Sequence, residues 1–388
     1  MADFVNGNRI QLLKSGVEYF PALEAEFEAA RREIHLEAYI FESDATGRSV
    51  AAALARAARR GVATHLLVDG FGSKGLDPRL IDGMKQAGVQ LLVYRPDITP
   101  WQLRHARLRR MHRKIAVVDA RVALVGGINV VDDADAARDA PSRFDFAVRV
   151  EGPLVAQIHP VVKRLWRLVN ATQFQARLPK APELLPPAQF RSGQRAAFIV
   201  RDNLGHRRDI EQEYLSAIEG AKQEVLIANA YFFPGLTFRR ALMDAAARGV
   251  RVSLLLQGRI EYVLQHYAAR ALYGAFLDAG IEIHDYYKSF LHAKVAVIDR
   301  HWATVGSSNI DPFSLLLARE ANVVIADDGF AGELRDRLLA AIAEEAIEVR
   351  RESWAAQPLA VRALTWMSYG LVRFLTGAFA YGRAREFT

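Results

Sequence analysis

The pattern His-x-Lys-x-x-x-x-Asp occurs twice, as His112-Arg-Lys114-Ile-Ala-Val-Val-Asp119 and as His292-Ala-Lys294-Val-Ala-Val-Ile-Asp299. Seven residues past each aspartate comes a second match, Gly126-Gly127-Ile-Asn129 in one copy and Gly306-Ser307-Ser-Asn309 in the other. A single copy arises by chance in roughly one chain in fifty of this length. Two copies with matching tails therefore mark a duplication, and the fold must bring two like halves together.

Other segments repeat in the same order. Glu33-Ile-His-Leu-Glu-Ala-Tyr-Ile-Phe resembles Glu224-Val-Leu-Ile-Ala-Asn-Ala-Tyr-Phe-Phe, and the run ending at Gly61 resembles the run ending at Gly249. Each half reads as strand, helix closed by a glycine, strand, helix, strand, with Gly88 and Gly280 ending the second helices. That alternation predicts an α/β sandwich of two homologous α/β/α halves about a pseudo-two-fold. Leu178-Pro-Lys-Ala-Pro-Glu-Leu-Leu-Pro-Pro is proline-rich and aperiodic. It is taken as a linker (178–192) between halves at 1–177 and 193–350, with a tail at 351–388. Tyr94 and Tyr286 are 192 positions apart but the histidines only 180, so the first half carries 12 extra residues before His112. That insertion, within Arg95–Arg110, reads either as a solvated loop or as a basic, Trp101-bearing rim for anions.

In each motif the Lys-to-Asp stretch reads as a short strand, and period two puts His and Lys on one face. The following glycine-rich turn brings Asn129 or Asn309 back toward them. Two histidines, two lysines and two asparagines meeting at one point suit phosphodiester exchange. One imidazole attacks phosphorus, and the other protonates the departing alkoxide and then deprotonates the acceptor. Lys114, Lys294, Asn129, Asn309 and Ser307 are expected to donate to the non-bridging oxygens. No metal or other cofactor is required, and no Walker-type nucleotide loop occurs. A nucleophilic imidazole also needs a carboxylate on its far nitrogen. The candidates are Asp145, 33 residues after His112, and Glu320, 28 residues after His292, each read as preceding a strand. Asp119 and Asp299 stand roughly 16 Å along the strand from their lysines. They are expected to bind backbone or a basic side chain, with loss on mutation falling mainly on folding.

With these residues assembled, the chain resembles the phospholipase D superfamily. Glu37-Ala-Tyr-Ile-Phe, Ala230-Tyr-Phe-Phe-Pro-Gly, Arg110-Met-His-Arg-Lys and His301-Trp-Ala-Thr-Val-Gly-Ser-Ser-Asn-Ile-Asp-Pro are similar to bacterial cardiolipin synthases of the B type. The resemblance, over about residues 8 to 350, implies phosphatidyl transfer between two phosphatidylglycerol molecules with release of glycerol. It also implies a phosphohistidine intermediate, with His112 carried over as nucleophile and His292 as acid/base. Asp311-Pro-Phe-Ser departs from the arginine that often precedes that serine. A water-using phosphodiesterase or nuclease, and a non-catalytic membrane scaffold, are the competing readings.

The net charge of +7 suits an anionic partner without choosing between nucleic acid and an acidic membrane face, and it is the apolar tail and the resemblance that favour anionic phospholipids such as phosphatidylglycerol over nucleic acid. The absence of cysteine excludes disulfides, thiol nucleophiles and Cys-based metal sites. The N-terminus lacks the features of a signal peptide, and no uncharged apolar run of spanning length occurs, so a peripheral protein on the cytoplasmic membrane face is expected. Leu359–Tyr381 is apolar save for Arg362 and Arg373, which share one helical face with Thr365, Tyr369 and Thr376. Either an interfacial helix or a core-packing terminal helix fits. Gly70-Phe-Gly72-Ser-Lys-Gly75 matches Gly-x-Gly-x-x-Gly, but the second half has no counterpart, and the segment is assigned to the site rim rather than to a dinucleotide.

Overall fold

The computed structural model describes residues 2–96, 109–132, 142–173, 190, 193–202, 205–311 and 318–384, with side chains of the last helix described to residue 375. Most of the insertion before His112 and nearly all of the linker at 178–192 lie outside the described residues.

The first half runs β1 (Val5–Lys14), α1 (Ser15–Ala29), β2 (Glu33–Ala38), α2 (Ala45–Arg59), β3 (Ala63–Asp69), α3 (Pro78–Gln86) and β4 (Gln90–Tyr94). It continues through the two-residue β5 (Arg110–Met111), β6 (Lys114–Val118), β7 (Val122–Gly126), β8 (Phe146–Glu151) and α4 (Val155–Thr172). The second half repeats this with β9 (Gln194–Arg201), α5 (Asp209–Gly220), β10 (Glu224–Asn229), α6 (Leu236–Ala247) and β11 (Arg251–Gln257). Then come α7 (Val263–Arg270), α8 (Tyr273–Asp278), β12 (Glu282–Tyr286), β13 (Lys294–Ile298), β14 (Trp302–Gly306), β15 (Ala318–Ala326) and α9 (Asp328–Glu345). The chain closes with β16 (Ala346–Glu348), α10 (Arg351–Ala355) and α11 (Leu359–Ala384). Gly61 and Gly249 have φ of +89° and +88°, the left-handed turn that a side chain resists.

The strand order is β16-β12-β11-β10-β13-β14-β15-β9-β1-β8-β7-β6-β2-β3-β4, which repeats outward in both directions from the β9–β1 pair except that β16 extends the edge of the second half. β2, β3 and β4 pair in parallel through helical crossovers, as do β10, β11 and β12; the motif strands β6 and β13 join antiparallel. The inner faces pack on each other in a shared core that includes Ile115, Val117, Val125 and Val148 from one half with Val295, Val297, Val305 and Val323 from the other. The outer faces are covered separately, by α1 and α2 in one half and by α5 and α6 in the other. Strands β6 and β13 are thus buried on both sides, which is why they read as unbroken apolar runs.

The glycine-rich match after β3 is a tight turn and not a phosphate cradle. A Cβ at Gly72 would lie 2.2 Å from the Tyr39 carbonyl oxygen, and one at Gly70 2.6 Å from that of Arg95. Asp69 accepts from the Phe71 and Gly72 amides, and α3 begins only at Pro78.

Candidate active site

Each histidine is carried on a short segment that crosses to the other half. β5 pairs in parallel with β15, and the His112 amide donates to the Arg319 carbonyl at 3.0 Å. In mirror fashion Phe144 bridges Leu291, and the His292 amide donates to the Phe144 carbonyl at 2.9 Å. Backbone pairing therefore sets each imidazole beside the carboxylate of the opposite half. His112 Nδ1 lies 3.0 Å from Glu320 Oε1, and His292 Nδ1 lies 2.6 Å from Asp145 Oδ2. Counting each carboxylate from its own half's histidine does not reveal this exchange. Glu320 also lies inside β15 rather than ahead of a strand, because β15 stays paired with β9 through Glu320↔Arg201.

The two carboxylates are held differently. Glu320 accepts the Ser307 hydroxyl at 2.5 Å and faces Arg201 Nη2 at 3.5 Å. Asp145 accepts its neighbouring Phe146 amide at 2.8 Å and lies 3.8 Å from Lys294 Nζ. At the position matching Ser307, Gly127 leaves room: a Cβ there would lie 2.4 Å from Asp145 Oδ1. Lys114 and Lys294 are buried and each donates to the carbonyl of the histidine two residues before it. Asn129 lines a small recess with Arg143, Asp145 and His292. Asn309 lines another with Arg201, and its side-chain oxygen is buried with no hydrogen-bond partner among the described residues.

Burial dominates the electrostatics and pushes each group toward its neutral form. It lowers Lys114 to about 7 and Lys294 to about 8, with Lys294 also depressing Lys114 and Arg143 depressing Lys294 while the carboxylates pull upward. It raises Asp145 to about 6 against the charges of Lys294 and Lys114. Burial would raise Glu320 as well, but the charge and hydrogen bond of His112, with Arg201 and Lys114, carry it below its ordinary value. His112 is lowered by burial, which Glu320 partly offsets. His292 is lowered well below the ordinary imidazole value by burial and then by Lys294, Arg143, Lys114 and His112. The couplings across the halves mean that all four residues share one field. An array of neutral imidazoles, poised lysines and buried carboxylates is suited to receiving a phosphate anion and moving a proton beside it.

Ser307 departs from the donor set expected for phosphate, whereas Asp119 and Asp299 bind backbone. The Ser307 hydroxyl is fully buried and directed at Glu320, so it steadies the carboxylate rather than facing a substrate oxygen. Asp119 accepts the amides of Arg31, Arg32 and Glu33 at 2.8–2.9 Å, and Asp299 those of Lys222, Gln223 and Glu224 at 2.8–3.0 Å. Both aspartates pin the turn before β2 or β10, at the strand end away from the lysines, and lie outside the reacting centre.

Sequence reasoning passed over Tyr39 and Arg201. The Tyr39 ring meets His112 edge-on at 4.6 Å, and Lys114 Nζ lies 5.2 Å from its centroid. The Ala-Tyr phrase recurs at Ala230-Tyr231, one position out of register with Ala38-Tyr39 along the matching strands, which was the available signal; Tyr231 donates to Glu261 at 2.5 Å. Arg201, at the end of β9, has no such mark.

Beside the site, an open cleft with a cavity volume of about 50 Å³ lies in the second half, lined by Tyr231, Phe232, Phe233, Leu256, Tyr262 and Val372 among others. Its wall includes α11, which turns Thr365, Ser368 and Val372 inward and leaves Trp366, Met367, Leu371 and Phe374 exposed. No helix among the described residues is long and apolar enough to cross a membrane.

Comparison with known proteins places these features in context. Residues 23–166 and 214–341 match the family model described as "Cardiolipin synthase, PLD-like domain". Cardiolipin synthase B of Escherichia coli K12 is 41% identical over 344 residues, covering 88% of this chain and 82% of that protein. A probable cardiolipin synthase of Bacillus subtilis 168 is 33% identical over 323 residues, covering 82% of this chain and 63% of its own. In fold, the chain is similar to the crystal structure of phosphatidylserine synthase from Haemophilus influenzae Rd KW20, with a TM-score of 0.69 at 12% identity over 97% of both chains.

Proposed function

The chain belongs to the phospholipase D-like cardiolipin synthase family, and on that footing we propose that it transfers a phosphatidyl group from one phosphatidylglycerol to another, forming cardiolipin and releasing glycerol. The observation that carries this reading is the crossed bracing of two histidines in one field of buried lysines. His112 Nε2 attacks phosphorus while its Nδ1–H donates to Glu320. His292, in the imidazolium form that the incoming phosphodiester anion stabilises, gives its Nε2 proton to the departing glycerol oxygen and becomes neutral, then regains a proton from the hydroxyl of the second phosphatidylglycerol, which displaces the histidine. Exchanging one phosphodiester for another is close to thermoneutral, so no activated donor enters. Giving the nucleophilic role to His112 is favoured by its carboxylate. Glu320 is held below its ordinary value by the charge and hydrogen bond of His112 and by the charges of Arg201 and Lys114, and a carboxylate that stays ionised best supports the cationic ring of a phosphohistidine.

Two features favour a lipid over a nucleic acid. The cavity beside the site offers aromatic and aliphatic walls to an acyl chain, and α11 turns its largest apolar side chains to solvent, the inverse of a helix that packs on a core. We assign this face to the membrane surface and propose a peripheral protein on its cytoplasmic side, with phosphatidylglycerol as anionic partner.

The test is incubation of purified protein with phosphatidylglycerol vesicles and, separately, with plasmid. Cardiolipin and free glycerol in equal amounts are expected. Phosphatidic acid alone indicates water as acceptor, and nicked plasmid with untouched lipid overturns the reading. His112→Ala and His292→Ala should each lower turnover by at least about 10⁴-fold. A covalent phosphatidyl adduct trapped in His292→Ala supports His112 as nucleophile; an adduct found only in His112→Ala reverses the roles.

A further inference from the structure

We propose that Glu33, His35 and His159 form a binding site for a divalent cation of the zinc class, separate from the reacting histidines and independent of the proposed activity. Glu33 and His35 lie on β2 and His159 on α4. Their three ligand atoms are all within 4.8 Å of one another. The cluster lies at the far end of β6 from Lys114, beside the turn pinned by Asp119.

His159 Nε2 meets Glu33 Oε1 in a short hydrogen bond. His35 Nε2 lies 3.7 Å from Glu33 Oε2 and, though its ring is 4% exposed, has no hydrogen-bond partner among the described residues. A buried imidazole nitrogen aimed at a carboxylate without a hydrogen bond is costly to maintain. A metal ion satisfies it. Tetrahedral zinc with bonds of about 2.0–2.2 Å sets ligand atoms roughly 3.3 Å apart, so only a modest contraction is needed. The His35 plane is already fixed: His65 stacks on it at 4.4 Å and 6°, and the Trp166 ring stands edge-on to both imidazoles.

One group competes with the cation. Lys163 Nζ lies 3.4 Å from Glu33 Oε2, on a partly exposed side chain of α4 that can swing to solvent.

The second half shows what the same position looks like when it is closed by a salt bridge. Glu224 matches Glu33, but its partner from the long helix is Arg335, with Nη2 3.2 Å from Oε1, and Leu226 stands where His35 does. There the guanidinium neutralises the carboxylate outright. In the first half an imidazole replaces it, and a second imidazole replaces the leucine, giving a two-nitrogen, one-oxygen donor set with a fourth position for water.

The experiment uses the full chain, stripped with EDTA and titrated with zinc chloride against a chromophoric chelator, with cobalt(II) absorption as a check on geometry. One equivalent of zinc is expected. Affinity should fall roughly tenfold or more in His35→Gln and in His159→Gln, and it should rise in Lys163→Met, which removes the competing ammonium. The opposite sign of that last variant separates a site from mere unfolding, and circular dichroism melts establish that each variant is folded. The proposal is overturned by the absence of one-equivalent binding in the wild type. Undiminished affinity in a folded His159→Gln overturns it too, as does binding lost in His292→Gln instead.

Discussion

The two halves share one chain path yet fill their matching positions with different side chains. Where the first half has Gly127 beside Asp145, the second has Ser307 beside Glu320. The shorter carboxylate needs the missing Cβ, whereas the longer one is held by a hydroxyl and by Arg201. Because the carboxylates exchange across the interface, His112 receives an ionised, steadied partner and His292 one raised to about 6. Duplication supplies the geometry of two equivalent half-sites; on the proposed assignment, two differences in the turn and strand beside it divide the roles of base, acid and nucleophile.

The sharpest way to break this comparison is to neutralise each carboxylate in turn. Glu320→Gln should lower kcat by about 10³- to 10⁴-fold, the scale of losing the carboxylate that orients a catalytic imidazole. Asp145→Asn should cost less, about 10- to 100-fold, since its charge is already partly suppressed by burial. Equal losses would mean that the halves are interchangeable.

Where the halves are truly alike, mutation should not tell them apart. Asp119→Ala and Asp299→Ala each remove an acceptor of three backbone amides, and each should destabilise the fold by about 2–3 kcal/mol. Thermal melts should shift equally, with kcat of the folded fraction unchanged. A selective loss of kcat at either position would draw that aspartate back into the chemistry.

The tail belongs to the second half alone, and its contribution is read in binding. Replacing Trp366 and Phe374 by serine should weaken sedimentation with phosphatidylglycerol vesicles by roughly tenfold or more, from lost apolar burial. Turnover of micellar substrate should be retained. Unchanged vesicle binding would remove α11 from the membrane contact.

The smallest effect is protonic. Lys114 and Lys294, lowered to about 7 and about 8, are largely or half deprotonated at pH 8 in the free protein. A bound phosphodiester monoanion favours their charged forms, so at pH 8 binding of dimethyl phosphate should take up about one proton and weaken as pH rises further. Calorimetry in buffers of different ionisation enthalpy measures this, and a heat independent of buffer would contradict it.

Much of the architecture was legible because local rules suffice for it. Gly61 and Gly249 announced helix ends, since a left-handed residue there excludes most side chains, and the apolar runs after Lys114 and Lys294 announced strands buried on both faces. The position of Asp119 and Asp299 along their strands was equally readable, because strand rise alone separates them from the lysines. Arg201 was not, because nothing local distinguishes an arginine ending a strand from one in solvent. Nor was the direction of the Ser307 hydroxyl.

By itself, the sequence determined that there are two half-sites, which residue types each contributes, and that they lie at strand ends on a duplicated α/β frame. Only the tertiary structure decided which carboxylate serves which histidine, how deeply the lysines are buried, and that a second cluster of imidazoles gathers on β2 and α4. The physical reason is range. Helix caps and strand periods are set by neighbours a few residues away, whereas these contacts join residues 126 to 208 positions apart, and their partners are chosen by how the two sheets pack.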